Sequence, residues 1–240
     1  MARGPPMVLA QRLVGELHLL LRRLAADDQP EALDQVCVAA CRALGAEAAT
    51  VALLDEHGRP SPVACSDPRA RRVGALQCRL GEGPATRAVV DGRLVVVDDL
   101  EREGDGWPGF AAAALLAGVR SVVAVPLHDD DTPLGSLEVY GRQPLSAPSR
   151  LAAAEVLADA AACVVMVGRR KQQAREVIGQ LESALERRVV IEQAKGMLAE
   201  RLGLTPEDAY ERLRRHARDH NRRVTELARD VLAGEDPVPR

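Results

Sequence analysis

Eight residues near the C-terminal end of the chain have types and spacings suited to gripping a polyanion. Arg188 and Lys195 are seven residues apart, two helical turns on one face. Lys195 is one of two lysines in an arginine-dominated chain, and it sits in Ala194-Lys195-Gly196. A glycine inside a helix costs about 1 kcal/mol relative to alanine. Close approach of a second backbone would explain that cost, whether a partner helix or a nucleic-acid strand. Tyr210, Arg214 and Asn221 line a second stripe at steps of four and seven. It runs beside an inward stripe of Ala209, Leu213, His216 or Ala217, and His220. Arg215 and Arg223 belong to a basic excess between Arg212 and Arg229. On charge alone this region reads either as a polyanion-binding surface or as a solvated helix face.

Other chemistries have thinner support. The five cysteines, Cys37, Cys41, Cys65, Cys78 and Cys163, are odd in number and lack CxxC spacing. They read first as small buried hydrophobes, and second as a redox or metal sensor. His216 and His220 are at metal-compatible i,i+4 spacing, but no further ligands follow at a recognisable spacing. There is no HExxH, no phosphate loop and no nucleophile–base constellation. We expect no catalytic residues, no metal and no cofactor.

Elements must position these residues, and composition bounds what they can be. The chain has 240 residues, 47% hydrophobic but only 2% aromatic, with net charge −3. That is enough for a real core and too few aromatics for base-stacking sheets. The total hides an asymmetry: residues 168–240 carry sixteen basic and thirteen acidic groups, net +3, and residues 1–167 are net −6. No run approaches the roughly 18 apolar residues of a membrane span. Residues 1–28 read as an amphipathic helix rather than a signal peptide, because Glu16, His18, Arg22 and Arg23 interrupt the apolar stretch. A cytoplasmic protein without membrane contact is expected.

Residues 8–25 and 30–44 read as helices, the second stopped by Gly45. Strands follow at Thr50–Leu54 and Pro62–Cys65 around a turn at 56–60. Gly81-Glu82-Gly83-Pro84 is a turn into a short helix ending near Val90, and Leu94–Val97 is a β-branched strand. Trp107-Pro108 opens another helix, closed by Gly118, and Trp107 and Phe110 are expected to plug the core. Strands Ser121–Pro126 and Leu134–Tyr140 flank an acidic turn, and a long helix starts near Pro148. Two hairpins with packed helices define an α+β domain with a mainly antiparallel sheet.

Within that order, Gly81-Glu82-Gly83-Pro84, Val95–Leu100, Trp107-Pro108, Gly118-Val119-Arg120-Ser121, Ala124-Val125-Pro126-Leu127 and Leu134–Tyr140 resemble a GAF sensor domain. The resemblance covers about residues 10–167, and the domain is set at 8–167. GAF domains bind varied ligands or none. Asn221 is the only asparagine, so the Asn-Lys-x-Asp-Glu signature of cyclic-nucleotide binders is absent. No cysteine adjoins a histidine, so the usual bilin attachment pair is missing as well. His57 and His128 fall in predicted loops and read as solvated rather than as haem ligands. The signal, whether small ligand, redox change or protein partner, is open.

From Leu157 onward apolar residues recur every 3.5 positions: Leu157, Ala160, Val164, Val167, then Ala174, Ile178, Leu181 and Leu185, with Lys171 as an exception. Between Gly168 and Ser183 the remaining faces are polar. Residues 168–183 therefore read as a connecting coiled coil. Ala174, Ile178, Leu181 and Leu185 form the seam of a parallel homodimer. The alternative is packing against the first helix of the same chain.

Residues 184–234 read as three helices in a small all-α bundle, broken at Gly203 and at Asn221. Ala184-Leu185-x-x-Arg188-x-Val190-Ile191-x-Gln193-Ala194-Lys195-Gly196-x-Leu198, then Ala209-Tyr210-x-x-Leu213-Arg214, then Asn221-x-Arg223-Val224-x-x-Leu227-Ala228 resemble an ANTAR domain. The match runs in order and spacing over about residues 178–234. The resemblance implies an RNA-binding module of bacterial antiterminators, which as a dimer recognises paired hairpins and prevents terminator formation. Tyr210 could then stack on a base and Asn221 could read a base edge. Arg188, Lys195, Arg214, Arg215 and Arg223 could hold phosphates, with Gly196 admitting the strand. Two other readings compete with this one. The first is a DNA-binding helix-turn-helix built from the terminal helices. The second is a thiol-dependent reductase of the kind some GAF domains are, using Cys65 or Cys78. Length and strand order leave no room for an additional phosphoacceptor domain.

Overall fold

The computed structural model describes residues 15–16 and 29–235. The expected helix over 8–25 lies outside the described residues except at Gly15 and Glu16. The chain divides into two compact units, Met1–Arg169 and Arg170–Arg240.

The first unit is built on one five-stranded sheet in the order β2-β1-β5-β4-β3. The strands are β1 (Ala48–Leu54), β2 (Pro60–Cys65), β3 (Val95–Val97), β4 (Ser121–Asp129) and β5 (Thr132–Gly141). Every pairing is antiparallel. Helix α1 (Gln29–Leu44) buries Leu33, Val36, Ala40 and Leu44 on one sheet face, at the 3–4 spacing of an amphipathic helix. There they join Val51, Val123, Leu137 and Val139, together with Leu157, Ala161 and Val164 of the long helix. The other face is covered by α2 (Pro68–Leu80), α3 (Pro84–Asp91), the short α4 (Leu100–Glu103) and α5 (Pro108–Leu116). Val73, Phe110 and Ala114 pack there against Val122 and Tyr140.

Three sequence expectations change. Helix α2 is an addition to the expected elements, although its boundaries carry ordinary signals. Asp67 caps it by accepting from the Ala70 N–H at 2.7 Å, Pro68 opens it, and Gly81 closes it at φ 67°. His128 belongs to β4 rather than to a loop. Phe110 is fully buried, but Trp107 is only half-buried against the same cluster.

The connecting helix and the first helix of the bundle are one element, α6, running 55 residues from Pro148 to Leu202. Its early apolar residues do not all serve a coiled coil. Leu157 and Val164 are buried in the first unit, and Ala160 and Val167 are half-buried. The same stretch holds an 18-residue window of mean hydropathy 1.9, apolar enough by composition to cross a membrane. The expectation that no run approaches that length is corrected accordingly. Burial in the sheet's core accounts for much of that apolarity.

In the second unit, α7 (Pro206–Asp219) and α8 (Val224–Ala233) follow α6. Ala194, Leu198, Ala209, Leu213, Ala217, Leu227, Ala228 and Val231 form its core. The Thr205 side chain accepts from the Asp208 N–H at 3.2 Å and starts α7. The inward stripe of α7 is Ala209, Leu213 and Ala217. His216 is half-buried and His220 is exposed, so neither histidine is core. Their rings stack with centroids 4.0 Å apart.

Candidate functional site

The residues expected to meet a polyanion all lie in the second unit. Arg188 and Gly196 are exposed on α6, and Lys195 pairs with Glu192 with its side chain 20% exposed. Tyr210 is half-buried on α7, and Arg214 and Arg215 are exposed. Arg214 lies 3.7 Å from Glu211, a loose exposed pair worth little. Arg223 is exposed at the N-cap of α8. Arg222 forms an ion pair with Asp230 at 2.7 Å, which ties the turn to α8. The sequence gives no signal for this contact, since Arg222 stands there only within the basic excess between Arg212 and Arg229.

Asn221 is not on the helical stripe. It follows α7 with φ 51°, in the left-handed region. There the Arg222 N–H donates to the Ala217 carbonyl at 2.8 Å, closing the helix end. Asparagine tolerates this conformation better than most residues. Asn221→Ala is therefore expected to lower bundle stability by about 1 kcal/mol, whereas Asn221→Gly keeps the turn and removes only the amide. Urea unfolding of the two variants separates the turn's contribution from any role of the amide in binding.

Gly196 has no close neighbour: a Cβ added there meets nothing within 4 Å. Of the two explanations for a mid-helix glycine, a partner helix from within the same chain is removed for the described residues. Gly196→Ala is expected to raise bundle stability by about 1 kcal/mol. A simultaneous loss of nucleic-acid affinity, read by titration, marks the surface where another backbone comes close.

The seam residues are solvent-facing. Ile178, Leu181 and Leu185 are 54%, 60% and 63% exposed, and Ala174 is exposed with them. Val177 and Val189 add to this stripe. Large apolar side chains are thus concentrated on one exposed stripe of the helix, which is uncommon on a solvated surface.

The first unit contains a cluster that the sequence did not reveal. Glu138 on β5 is buried beside Gln77, Tyr140 and Ser136. Gln77 Nε2 and the Tyr140 hydroxyl donate to its carboxylate, and Ser136 Oγ donates at 3.4 Å. These partners are neutral, so burial dominates and pushes the Glu138 carboxyl up to about 7. Burial and the neighbouring Glu138 charge push the Tyr140 hydroxyl up as well. The Ala85 N–H donates to Gln77 Oε1 at 2.8 Å, which connects the cluster to the start of α3. A Cβ on Gly83 (φ 138°) would collide with the Gln77 side chain. Glu82 Oε1 accepts from the Gly109 and Phe110 N–H groups at 2.9 and 3.0 Å, capping α5. The Gly81–Pro84 turn thus ties α2, α3 and α5 to one buried carboxyl.

Three of the five thiols are poorly placed for nucleophilic chemistry. Burial pushes the Cys37, Cys41 and Cys65 thiols up, away from the reactive thiolate. Cys78 is half-buried on α2 and Cys163 is exposed on α6.

An antiparallel sheet covered by helices on both faces is followed, on a continuous helix, by a small helical bundle. Residues 26–166 match the family model of the GAF domain, and residues 179–232 match that of the ANTAR domain. The chain belongs to the GAF family and carries a C-terminal ANTAR domain.

A nitrate regulatory protein of Klebsiella oxytoca is 40% identical over 68 residues, a match covering 26% of this chain and only 17% of that protein. Among solved structures, the GAF domain of a phosphoenolpyruvate-protein phosphotransferase from Coxiella burnetii aligns with TM-score 0.55 and 21% identity. That alignment covers 68% of this chain and 98% of that one. The free methionine-R-sulfoxide reductase of Neisseria meningitidis aligns with TM-score 0.55 and 19% identity, over 71% and 96%. At these identities the structural likenesses speak to the fold.

Proposed function

We propose that the chain is a transcription antitermination regulator whose ANTAR bundle binds hairpin RNA under control of a signal at the GAF domain. The observation that carries this reading is the ANTAR match over residues 179–232, on which all eight candidate contact residues fall. The relative from Klebsiella oxytoca is named a regulatory protein, which supports a regulator rather than an enzyme. The thiol of Cys65, pushed up by burial, weakens the reductase reading at that residue.

In this reading Arg188, Lys195, Arg214, Arg215 and Arg223 hold phosphates, Tyr210 stacks on a loop base and Asn221 offers its amide to a base edge. Gly196 admits the strand. A small basic surplus needs help from avidity, and the exposed stripe Ala174, Ile178, Leu181 and Leu185 supplies it by pairing two copies. The domains are taken as 8–167 for the sensor, 168–183 for the connecting coiled coil and 184–234 for the RNA-binding bundle. The protein works in the cytoplasm, where nascent transcripts are.

Titration of the full chain with an RNA hairpin and with duplex DNA at matched salt tests the proposal. Tighter hairpin binding is expected, and preference for duplex DNA overturns it in favour of a helix-turn-helix regulator. Solution mass tests the pairing: a monomer of 25.7 kDa at micromolar concentration removes the dimer.

A further inference from the structure

Helix α2 stands out in its surroundings. Its thirteen residues include Arg69, Arg71, Arg72 and Arg79 and no acid, although residues 1–167 are net −6. Ala70, Val73, Gly74 and Gln77 turn to the core. Arg69, Arg72, Leu76 and Arg79 follow at steps of three, four and three, forming a second stripe beside the buried one.

That stripe is one wall of a trough between α2 and the C-terminal end of α5. The trough is open to solvent, has a volume of about 640 Å³ and is lined by Arg69, Arg72, Val73, Leu76, Arg79 and Ala117, among others. Its floor is apolar and its charged lining is all positive. Arg72 and Arg79 have no ion-pair partner among the described residues, and Arg69 reaches only Asp67, at 3.4 Å. Two large exposed apolar side chains are sequence neighbours of its lining residues. Leu116, next to Ala117, is 91% exposed. Leu80 follows Arg79, is 48% exposed and lies against Gly109 at the start of α5.

We infer that this trough binds a small anionic amphiphile, an acyl chain ending in a carboxylate or similar anion, which is a class of signal for the sensor domain. The chain lies along Leu76, Val73 and Ala117, Arg79 at one end holds the anionic head, and Arg72 on the rim adds to the positive field. The volume falls within the range of roughly 300–1,000 Å³ usual for small-molecule sites. The ten-residue step from Arg69 to Arg79 spans about 15 Å of helix, long enough for an extended medium-length chain. A charge-assisted hydrogen bond at the rim adds orientation to apolar burial on the floor. Binding here is independent of the RNA reading, because both walls lie within the sensor domain.

The test titrates the full chain with decanoate below its micellar concentration, in parallel with decyltrimethylammonium and 1-decanol, by calorimetry. Saturable one-to-one decanoate binding is expected, with the cationic analogue silent and the alcohol weaker. The surface variant Arg72→Glu/Arg79→Glu should weaken decanoate about tenfold or more, the worth of one lost charge-assisted contact. Ala117→Phe fills the floor and should block decanoate while leaving the arginines in place. Unchanged affinity in the charge-reversed variant, equal binding of the three amphiphiles, or no saturable decanoate binding by the wild type overturns the inference. So does binding confined to anionic lipid vesicles, which would point to a membrane surface instead.

Discussion

Glu138→Gln is expected to stabilise the sensor domain by about 3 kcal/mol at pH 8 and by almost nothing at pH 4, since a tenfold change in proton affinity between the folded and unfolded chain corresponds to about 1.4 kcal/mol. The carboxyl is raised from 4.5 to about 7 by burial among neutral donors. A raised acid is protonated in the folded chain where the unfolded chain has already released its proton. The wild-type domain therefore holds its full stability below pH 4.5, loses it progressively up to pH 7, and stays level above that. Glutamine imitates the neutral acid, still accepting at its carbonyl, and removes the slope. Tyr140 and Cys65 also face this region, but burial raises both, so neither adds a step in that window. The single tryptophan, Trp107, lies in this unit, and its fluorescence during urea unfolding at several pH values provides the measurement. A wild-type stability that is flat between pH 4.5 and 7 would contradict the assignment.

The second large effect belongs to the bundle. Leu213→Ala is expected to cost about 2–5 kcal/mol in a core of only eight buried residues. Leu213 is fully buried at the centre of the α7 stripe, between Ala209 and Ala217. Its small helical neighbours offer little that can collapse into the hole. A unit this small holds few kilocalories in reserve, so the variant should melt at the bundle and lose hairpin affinity. Trp107 fluorescence should report an unchanged sensor transition, while far-ultraviolet circular dichroism records early helix loss. Coincident, unshifted transitions from both probes would show that Leu213 is not an anchor of the bundle.

The parts of the fold that the sequence displays are those where one face of an element meets water. The hairpins, the amphipathic α1 and the capped α7 all alternate visibly. Helix α2 is hard to see because its buried face is Ala70, Val73, Gly74 and Gln77, small or polar, with arginines around it. Glu138 is hidden for a different reason. Strand β5 is covered on both faces, so Ser136, Glu138 and Tyr140 are as buried as Leu137 and Val139, and alternation says nothing about direction. Arg188, Arg214, Arg215 and Arg223 are legible as exposed cations, because a charged side chain on a helix needs a reason to be anywhere else. Asn221 needs backbone geometry: its spacing puts it on a stripe, and its φ angle puts it in a turn. Choosing between His216 and Ala217 needs the bundle itself, since adjacent helical positions compete for one inward direction.

Beyond the first unit, helix α6 carries two apolar surfaces without interruption, and their relation is one of phase. Leu185 and Ala194 are nine residues apart, about half a revolution at roughly 100° per residue. The solvent-facing seam and the bundle's core therefore point in opposite directions around one axis, and a second copy can occupy the seam without disturbing the core. Because nothing but helical pitch holds that opposition, inserting two residues after Glu186 would swing the seam onto the bundle's own side. Inserting seven would restore it to within about 20°. In this chain the count of residues between Leu185 and Ala194 acts as a reading frame.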